Sequence, residues 1–468
     1  MPATLDWRAV GDEAVELLRA YLAIDTTNPP GNEAAGARFL AEVLRHAGIE
    51  SQTVESAPGR ANLVARVRGD GSLGAIVLHH HIDVVYADRR FWTVDPFGGE
   101  IRDGFLYGRG AIDMKSTGIL QLAAVLALKR AGARLTRDLV FLATADEEAG
   151  SAFGAQYIAA RHPEWLAGAE YALSELGGIE VDPHKRAPFA SIIISEKTGL
   201  PLTLTARGTP GHGSMPWDDT APHRLIRAAG RLLAAERAPR VLPEVQEYFR
   251  ALARLLAAER PPRVLPEVQE YFRALARVLP PAEGRGFDDL ATSLRDPAFR
   301  ARFFAHRQRA AMVRTTFAVN MLRASEKINV IPPEAVADID CRMLAGDDPA
   351  EIREWVTRVV DDEHVRVDFV REPKAPNLSA PDTEMYKALV DTLARRAPGV
   401  VVAPEILVAF TDNWVFRRMG LVAYGWSPFI MDDEEWRRVH GNDERISVDN
   451  VREGARAYTE LLLRLAGA

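Results

Sequence analysis

The chain has 468 residues, of which 47% are hydrophobic and 26% are charged, with a formal net charge of −7 and a single cysteine. This length predicts two or more domains, and the ordinary composition excludes disordered and fibrous proteins. The one cysteine, Cys341, excludes an internal disulfide and a cysteine-rich zinc module, and the dispersed negative charge argues against nucleic acid or an anionic membrane as a partner.

The first 22 residues predict an amphipathic helix with acidic residues among its apolar positions. A secretory signal peptide has a basic start and an unbroken apolar stretch instead. No run approaches the eighteen or so apolar residues of a membrane span. We therefore expect a cytoplasmic protein without a membrane partner.

Up to about residue 197, helical and strand-like patterns alternate along the chain. Apolar periodicity predicts helices over 5–24, 33–49 and 114–132 and strands over 61–69, 74–85 and 138–148. Such alternation is typical of an α/β fold, in which helices cover both faces of a mainly parallel sheet.

From about residue 198 the pattern changes to strand, helix, strand, strand, helix, strand, which is typical of a ferredoxin-like α+β unit. The segment from about 373 returns to the first pattern, with a helix, a strand and a closing helix. We predict one discontinuous catalytic domain, 1–197 with 373–468, and an inserted lid domain, 198–372.

The insertion contains a tandem repeat: residues 231–253 recur as 254–276, and the one difference is that Ala238 corresponds to Pro261. Two copies are too few for a solenoid. Prolines interrupt the segment, so each copy should form its own helix starting near Pro243 or Pro266. We expect an additional surface helix with little effect on chemistry, because no expected ligand lies inside it.

Histidine and acidic residues follow the predicted strands of the first domain, at the edge where open sheets collect their ligands. His81 and Asp83 share a face, so the Asp83 carboxylate can take the second N–H of a ligating imidazole. His80 faces the other way and is expected to be a packed core histidine; we do not expect His79 to be a ligand.

Two acidic motifs have competing interpretations. Asp113 lies between a glycine-rich turn and a helix, where an aspartate either bridges two metal ions or, more commonly, caps the helix. Glu147 and Glu148 are either solvated loop acids or neighbours of a cation; if one binds a metal, the other can take a proton from water. Glu175 and His440, each taken alone, resemble surface residues.

The insertion offers three further candidates. His212 lies in a glycine-rich turn, Asn329 precedes the predicted strand 335–344, and Arg342 lies within that strand. An imidazole or amide can stabilise an oxyanion, and an arginine can bind a carboxylate through two hydrogen bonds. Each taken alone is more commonly a turn residue or a solvated arginine.

Eight motifs in order, HHHIDVV, GRGAIDMKS, TADEEAGS, SELGG, GHGSMP, INVIPPEA, TDNWVF and VHGNDERISVD, resemble the di-zinc metallopeptidase family. This is the family of aminoacylase, carboxypeptidase S, glutamate carboxypeptidase, acetylornithine deacetylase and succinyl-diaminopimelate desuccinylase. The resemblance covers nearly the whole chain and implies a zinc-peptidase domain with an inserted lid that makes a homodimer contact.

The resemblance also implies a role for each candidate residue. One zinc ion would be bound by His81 and Glu175, the other by Glu148 and His440, with Asp113 bridging. Glu147 would be the general base and Asp83 the partner of His81. From the lid, His212 would stabilise the oxyanion, reaching the site from the partner subunit, and Asn329 and Arg342 would bind the substrate carboxylate.

The function that follows is hydrolysis of an amide bond in a peptide or N-acyl amino acid with a free carboxylate. Two divalent ions, zinc or alternatively cobalt or manganese, would activate a water whose proton Glu147 takes. One alternative is a catalytically inactive binding or assembly module, which would have lost the base or a ligand; none is lost. A nucleotide-binding protein would need a phosphate loop, and the sequence has none.

Overall fold

The computed structural model describes residues 5–182, 187–215, 217–235, 264–371 and 377–467. Two sheets of unequal size organise these ranges. Within them, no helix is both long and apolar enough to cross a bilayer.

The larger sheet has ten strands and a mainly parallel centre. Its strands are, in spatial order, Ser51–Ala57, Arg60–Val67, Leu139–Thr144, Ala75–His81, Ala169–Ser174, Val422–Gly425, Phe189–Glu196, Gly178–Glu180 and Ile430–Met431, with Val401–Leu407 paired to Phe189–Glu196. Leu139–Thr144, Ala75–His81 and Ala169–Ser174 run parallel to one another. These three strands are almost wholly buried, which explains their continuous apolar sequences.

Helices cover the larger sheet, as the alternating pattern predicted. They comprise Trp7–Leu22, Glu33–His46, Lys115–Arg130, Ala155–Arg161, Glu384–Arg396, Asn413–Arg418, Asp433–Trp436 and Val448–Ala466, together with the short 3-10 helices Arg89–Phe91, Glu147–Ala149 and Pro163–Leu166. Lys115–Arg130 is apolar on most sides and buried over 115–128, because it packs between the sheet and the helices at both ends of the chain. The α/β fold class predicted from the sequence is confirmed.

The smaller sheet is antiparallel and is built from two stretches of the inserted segment. Its strands are Thr198–Gly199, Leu202–Arg207, Thr316–Arg323, Glu334–Met343 and Val365–Phe369. Helices Ala221–Ala234 and Pro349–Val360 pack against this sheet. The order of elements is the predicted strand, helix, strand, strand, helix, strand. Cys341 is fully buried here, as expected of a structural thiol.

The second copy of the tandem repeat forms a helix, Pro266–Val278, that begins at the predicted proline. The surface position predicted for the repeat is wrong for this copy, because its apolar face packs on the strand Val401–Leu407 of the larger sheet. The short helices Pro281–Gly284, Leu290–Ser293, Pro297–Ala305 and Arg307–Ala311 follow it. Most of the first copy, from 236 onward, lies outside the described residues.

Two small sheets complete the fold. Gly211–His212 pairs with Val330–Ile331 in a two-stranded ribbon, and Arg445–Ser447 pairs with Phe105–Tyr107, which also pairs with Ile101–Arg102. The second of these brings the segment after His440 back to the segment that precedes Asp113.

Candidate active site

Three neighbouring parallel strands end at one edge of the larger sheet and deliver the candidate residues there. The residues at these strand ends are, in spatial order, Glu147 with Glu148, His81 and Glu175. Asp146 and Leu176, beside the glutamates, adopt the left-handed conformation, as does His440. Non-glycine residues in this conformation store strain and concentrate at functional sites.

The first cluster consists of His81, Asp113 and Glu175. The Nε2 atom of His81 lies 3.0 Å from Oδ1 of Asp113 and 3.4 Å from Oε2 of Glu175. All three side chains are buried, with no more than a tenth of any side chain exposed. One imidazole nitrogen therefore faces two carboxylates, a donor set that suits a divalent metal ion.

The second cluster shares Asp113 with the first. The Nε2 atom of His440 lies 3.1 Å from Oδ2 of Asp113 and 3.3 Å from Oε2 of Glu148. The two oxygens of Asp113 thus face two different histidines. A carboxylate that bridges two metal ions would need its two oxygens to point in different directions in this way.

The alternative role of Asp113, a helix cap, does not apply. The helix that follows begins at Lys115, its N-cap residue is Met114, and no side chain caps it. Asp113 instead directs both carboxylate oxygens at histidines.

Two unsatisfied oxygens show that the donor set is incomplete within the described chain. The Oε1 atoms of Glu148 and Glu175 are buried and have no hydrogen-bond partner among the described residues. A buried carboxylate oxygen without a partner is costly. Divalent cations next to Glu148 and Glu175 would satisfy both atoms, so the residues fit a two-metal centre.

The pKa values of the carboxylates show how strongly the site requires positive charge. Burial and the neighbouring Glu175 raise the pKa of Glu147 well above its usual range. Burial and the Asp113 charge raise the pKa of Glu175 to about 8, and the same two causes raise the pKa of Glu148. Four acids in one buried cluster cannot all ionise unless cations compensate them.

The two histidines respond in the opposite direction. Hydrogen bonds to Asp113 and Glu148 raise the pKa of His440 to about 10. Burial alone would lower the pKa of His81, but the charge of Glu175 and the bond to Asp113 outweigh it and raise this pKa well above its usual range. Without metal the histidines act as the counter-charges of the acids, a role that bound cations would take over.

Asp83 lies beside His81, but the closer acceptor is its backbone. The Nδ1 atom of His81 is 2.9 Å from the carbonyl oxygen of Asp83 and 3.6 Å from its Oδ1. The carboxylate of Asp83 instead accepts hydrogen bonds from the backbone N–H groups of Glu147 and Glu148, both at 3.1 Å, and from Nδ2 of Asn28 at 2.8 Å. Asp83 therefore orients the glutamate pair as well as the imidazole.

Glu147 and Glu148 are adjacent in sequence but have different surroundings. The Glu148 carboxylate contacts His440 within the second cluster. The Glu147 carboxylate lines the same cavity, and it accepts no hydrogen bond from the part of the chain that the structure describes. A carboxylate with a raised pKa and no fixed partner is suited to receive and return a proton.

The two histidines before His81 are buried and packed. His79 contacts the hydroxyl groups of Ser174 and Thr144, each at 2.8 Å, through its two ring nitrogens. His80 packs against Phe141 on the other side of the strand. Both ring nitrogens of His79 are therefore committed to neighbours.

The two clusters open into a cavity of about 860 Å³. Beyond the metal-type ligands, the far part of its wall includes Ser191, Glu405 and Tyr271. Tyr271 belongs to the second copy of the tandem repeat and stands edge-on to Phe189, with ring centroids 5.3 Å apart. This copy forms part of the cavity wall, and the expectation that the repeat has little effect on chemistry stays a prediction.

The three candidate residues of the predicted lid domain differ in whether they line the cavity. Arg342 lines the cavity, where its Nε lies 3.0 Å from Oδ1 of Asp340. His212 and Asn329 are exposed and adjoin the two-stranded ribbon, where the N–H of Gly213 donates to the Asn329 carbonyl at 3.0 Å. Neither lines the cavity of its own chain.

Several residues of the site escaped the sequence analysis. Asn28 holds Asp83, and Tyr271 and Glu405 line the cavity. Glu444, whose carboxylate binds the backbone next to Asp113, stands in the motif with His440 and had a visible signal: an acid four residues after a ligand. Asn28, Tyr271 and Glu405 lie outside every motif, and the sequence contains no local sign of them.

Glu405, at the wall of this cavity, should make the stability of the protein depend on pH. Burial raises its pKa to about 7 from the usual 4.5, although a hydrogen bond with Ser191 lowers it. The folded protein thus holds a proton that the unfolded chain releases above about pH 4.5, so stability falls as the pH rises from there to about 7, by as much as about 3 kcal/mol. We expect Glu405→Gln to raise the melting temperature at pH 8 relative to wild type more than at pH 5. An equal difference at both pH values would contradict the shift.

Comparisons with known proteins agree with this geometry. The model of peptidase family M20/M25/M40 matches residues 77–464. The chain is 30% identical to a probable carboxypeptidase S-like protein of Dictyostelium discoideum, over 84% of this chain and 72% of that protein. It is 27% identical to aminoacylase-1 of Mus musculus, over 97% of this chain and 95% of that protein.

A solved structure shows the same fold over nearly the whole chain. An M20 family metallo-carboxypeptidase from Sulfolobus solfataricus matches with a TM-score of 0.70 and 18% identity, covering 96% of this chain and 98% of that one. The cluster of histidines and acids lies within the segment that the family model matches. The chain therefore belongs to peptidase family M20/M25/M40, and it is a hydrolase of the class that cleaves peptides or N-acyl amino acids.

Proposed function

We propose that the protein hydrolyses the amide bond of a peptide or N-acyl amino acid that carries a free carboxylate, with two divalent metal ions and Glu147 as general base. One observation carries the proposal. The two oxygens of Asp113 face His81 and His440, while the nearby Glu147 forms no ion pair with a histidine among the described residues. A bridging carboxylate beside an uncommitted one is what a two-metal hydrolase requires.

The donor atoms divide between two ions. We assign His81 and Glu175 to one, Glu148 and His440 to the other, and Asp113 to both. Zinc suits this mixed set of imidazole and carboxylate ligands, and cobalt or manganese would also be accepted. Bound there, the ions would polarise the amide carbonyl and lower the pKa of water.

The side chains of the protein then handle the proton and the substrate. Glu147 takes the proton of the attacking water and returns it to the leaving amine, so no covalent intermediate is needed. Asp83 holds the backbone of Glu147 and the imidazole of His81. Arg342, at the cavity wall, binds the substrate carboxylate in place of Asp340.

A panel of dipeptides and N-acyl amino acids, each paired with its C-terminal carboxamide, tests this function. The metal-loaded protein should cleave the acids much faster than the carboxamides, and a chelator should abolish turnover until zinc is restored. Arg342→Ala should raise KM for the acids and leave the slow carboxamide reaction unchanged. If protein loaded with zinc, cobalt or manganese cleaves none of the acids, the inactive binding module is the correct reading.

We further propose a homodimer formed through the lid. The smaller sheet ends in the strand Thr316–Arg323, whose Met321 and Leu322 are 53% and 63% exposed. On the neighbouring helix Ala221–Ala234, Ile226 is 64% exposed. Exposed apolar side chains on an edge strand mark a pairing surface. Such a dimer would allow His212, remote from its own cavity, to stabilise the oxyanion in the other.

Co-expression of two inactive variants tests whether His212 acts across the dimer. Glu147→Gln keeps His212, and His212→Ala keeps the base, so a mixed dimer contains one complete site only if His212 acts on the partner. We expect co-expression to restore roughly a quarter of wild-type activity, since half the dimers are mixed and each has one working site. Each variant expressed alone is the control. No recovery in a verified mixed dimer would place His212 in its own subunit's site.

A further inference from the structure

A buried carboxylate outside the proposed ligand set holds the segment that leads to Asp113. Glu444 is fully buried and precedes the strand Arg445–Ser447. Its Oε1 accepts the N–H of Ile112 at 2.7 Å and of Asp113 at 3.1 Å. Its Oε2 accepts the N–H of Gly110 at 3.2 Å. Both oxygens of Glu444 are thus bound to the backbone of one short loop.

A buried arginine joins this loop to the one that carries His440. Arg109, whose side chain is 2% exposed, places Nη1 2.5 Å from Oε2 of Glu444. Its Nη2 donates to the carbonyl of Gly441, adjacent to His440, at 2.9 Å. Trp92 covers the guanidinium at 5.3 Å. Arg109 belongs to the loop that leads to Asp113, and both of these bonds reach the loop that carries His440, Gly441 and Glu444. The guanidinium and the Glu444 carboxylate therefore connect the two loops.

Asp113 and His440 depend on such support more than the other three proposed ligands do. His81 is the last paired residue of a buried parallel strand, and Glu175 directly follows the end of another. The backbone of Glu148, in a short 3-10 helix, is held by its N–H bond to Asp83. Asp113 and His440 come from loops, and His440 adopts a left-handed conformation, which is uncommon for a non-glycine residue. Ligands on irregular segments depend on neighbouring hydrogen bonds for their positions.

We propose that Arg109 and Glu444 are positioning residues that set the distance between Asp113 and His440, and so the geometry of the metal pair. The inference rests on the proposed two-metal function. Neither residue contacts substrate or a reacting atom; both act through the loop backbones. Loss of either side chain leaves the charge of the other buried and unpaired. The two loops would shift to relieve that cost.

The test measures zinc affinity directly, by titration of the metal-free protein against a competing chelator. Glu444→Gln keeps the size of the side chain but turns one acceptor into a donor that faces backbone N–H groups. We expect zinc binding at one or both sites to weaken by about 10–100-fold. Arg109→Lys keeps the charge but loses the hydrogen bond to the Gly441 carbonyl. We expect it to weaken zinc binding as well, and it replaces Glu444→Gln in the test if that variant does not fold.

Glu170→Gln is the matched control, because it breaks a 2.5 Å ion pair with another buried guanidinium, that of Arg137, away from the site. It should leave zinc affinity unchanged. The inference is overturned if folded Glu444→Gln and Arg109→Lys both bind two zinc ions as tightly as wild type. If the wild-type protein binds two zinc ions but cleaves no substrate, the proposed function is wrong. The zinc affinities of the variants then still show whether Arg109 and Glu444 position the ligands.

Discussion

Replacing Glu147 by glutamine is expected to lower kcat by about 10³-fold while both metal ions remain bound. Glutamine keeps the shape of the side chain but cannot accept a proton from water. In the structure the Glu147 carboxylate lines the cavity, its pKa is raised by burial and by Glu175, and it has no hydrogen-bond partner among the described residues. The measurements are kcat on a cleaved N-acyl amino acid and the zinc content of the purified variant.

The neighbouring residue provides the control for this variant. Glu148→Gln makes the same chemical change one residue further, where the carboxylate contacts His440 at 3.3 Å. We expect Glu148→Gln to lose zinc affinity as well as activity, so metal content should separate the two variants. Full turnover by Glu147→Gln would disprove the general-base assignment, and loss of zinc from it would make Glu147 a ligand.

Asp113→Asn is expected to lower zinc binding from two ions to one or none, and kcat/KM by about 10³-fold or more. The two oxygens of Asp113 face Nε2 of His81 at 3.0 Å and Nε2 of His440 at 3.1 Å. An amide has only one oxygen, and its NH₂ group cannot coordinate a cation. The variant therefore cannot bridge, and the two ions lose the anion that offsets their repulsion.

Asp138→Asn is a matched control for this change. Asp138 also uses both carboxylate oxygens, with Gly69 and the arginines Arg66 and Arg68, at the opposite end of the strand Leu139–Thr144. We expect Asp138→Asn to keep two zinc ions and wild-type kcat. An Asp113→Asn protein that still holds two zinc ions would show that Asp113 does not bridge.

Much of the candidate site follows from the sequence because it lies at strand ends. Apolar runs predict the strands, and parallel strands must place their carboxyl ends at one edge of the sheet. The approach of His81 to Glu175 across 94 residues of sequence is a consequence of that topology. The eight ordered motifs added Asp113 and His440, which lie on loops and have no strand to place them.

The error over the tandem repeat has a physical cause. The prolines correctly predicted a helix starting at Pro266, since proline is favoured in the first turn. Helical periodicity, however, reveals only that one face is apolar and not which surface will cover it. The strand Val401–Leu407, unrecognised in the sequence because Pro404 and Glu405 interrupt its apolar pattern, covers that face and brings Tyr271 to the cavity.

The sequence by itself determined the α/β fold class, the family and the residue types of the proposed metal site, because periodicity and ordered motifs are local properties of the chain. Only the tertiary structure decided which oxygen of Asp113 faces which histidine, that the Asp83 carboxylate binds the Glu147–Glu148 backbone, and that Glu444 holds the Asp113 loop. These contacts join residues up to 334 positions apart. Their geometry depends on how the loops pack across the edge of the sheet, which no local pattern encodes.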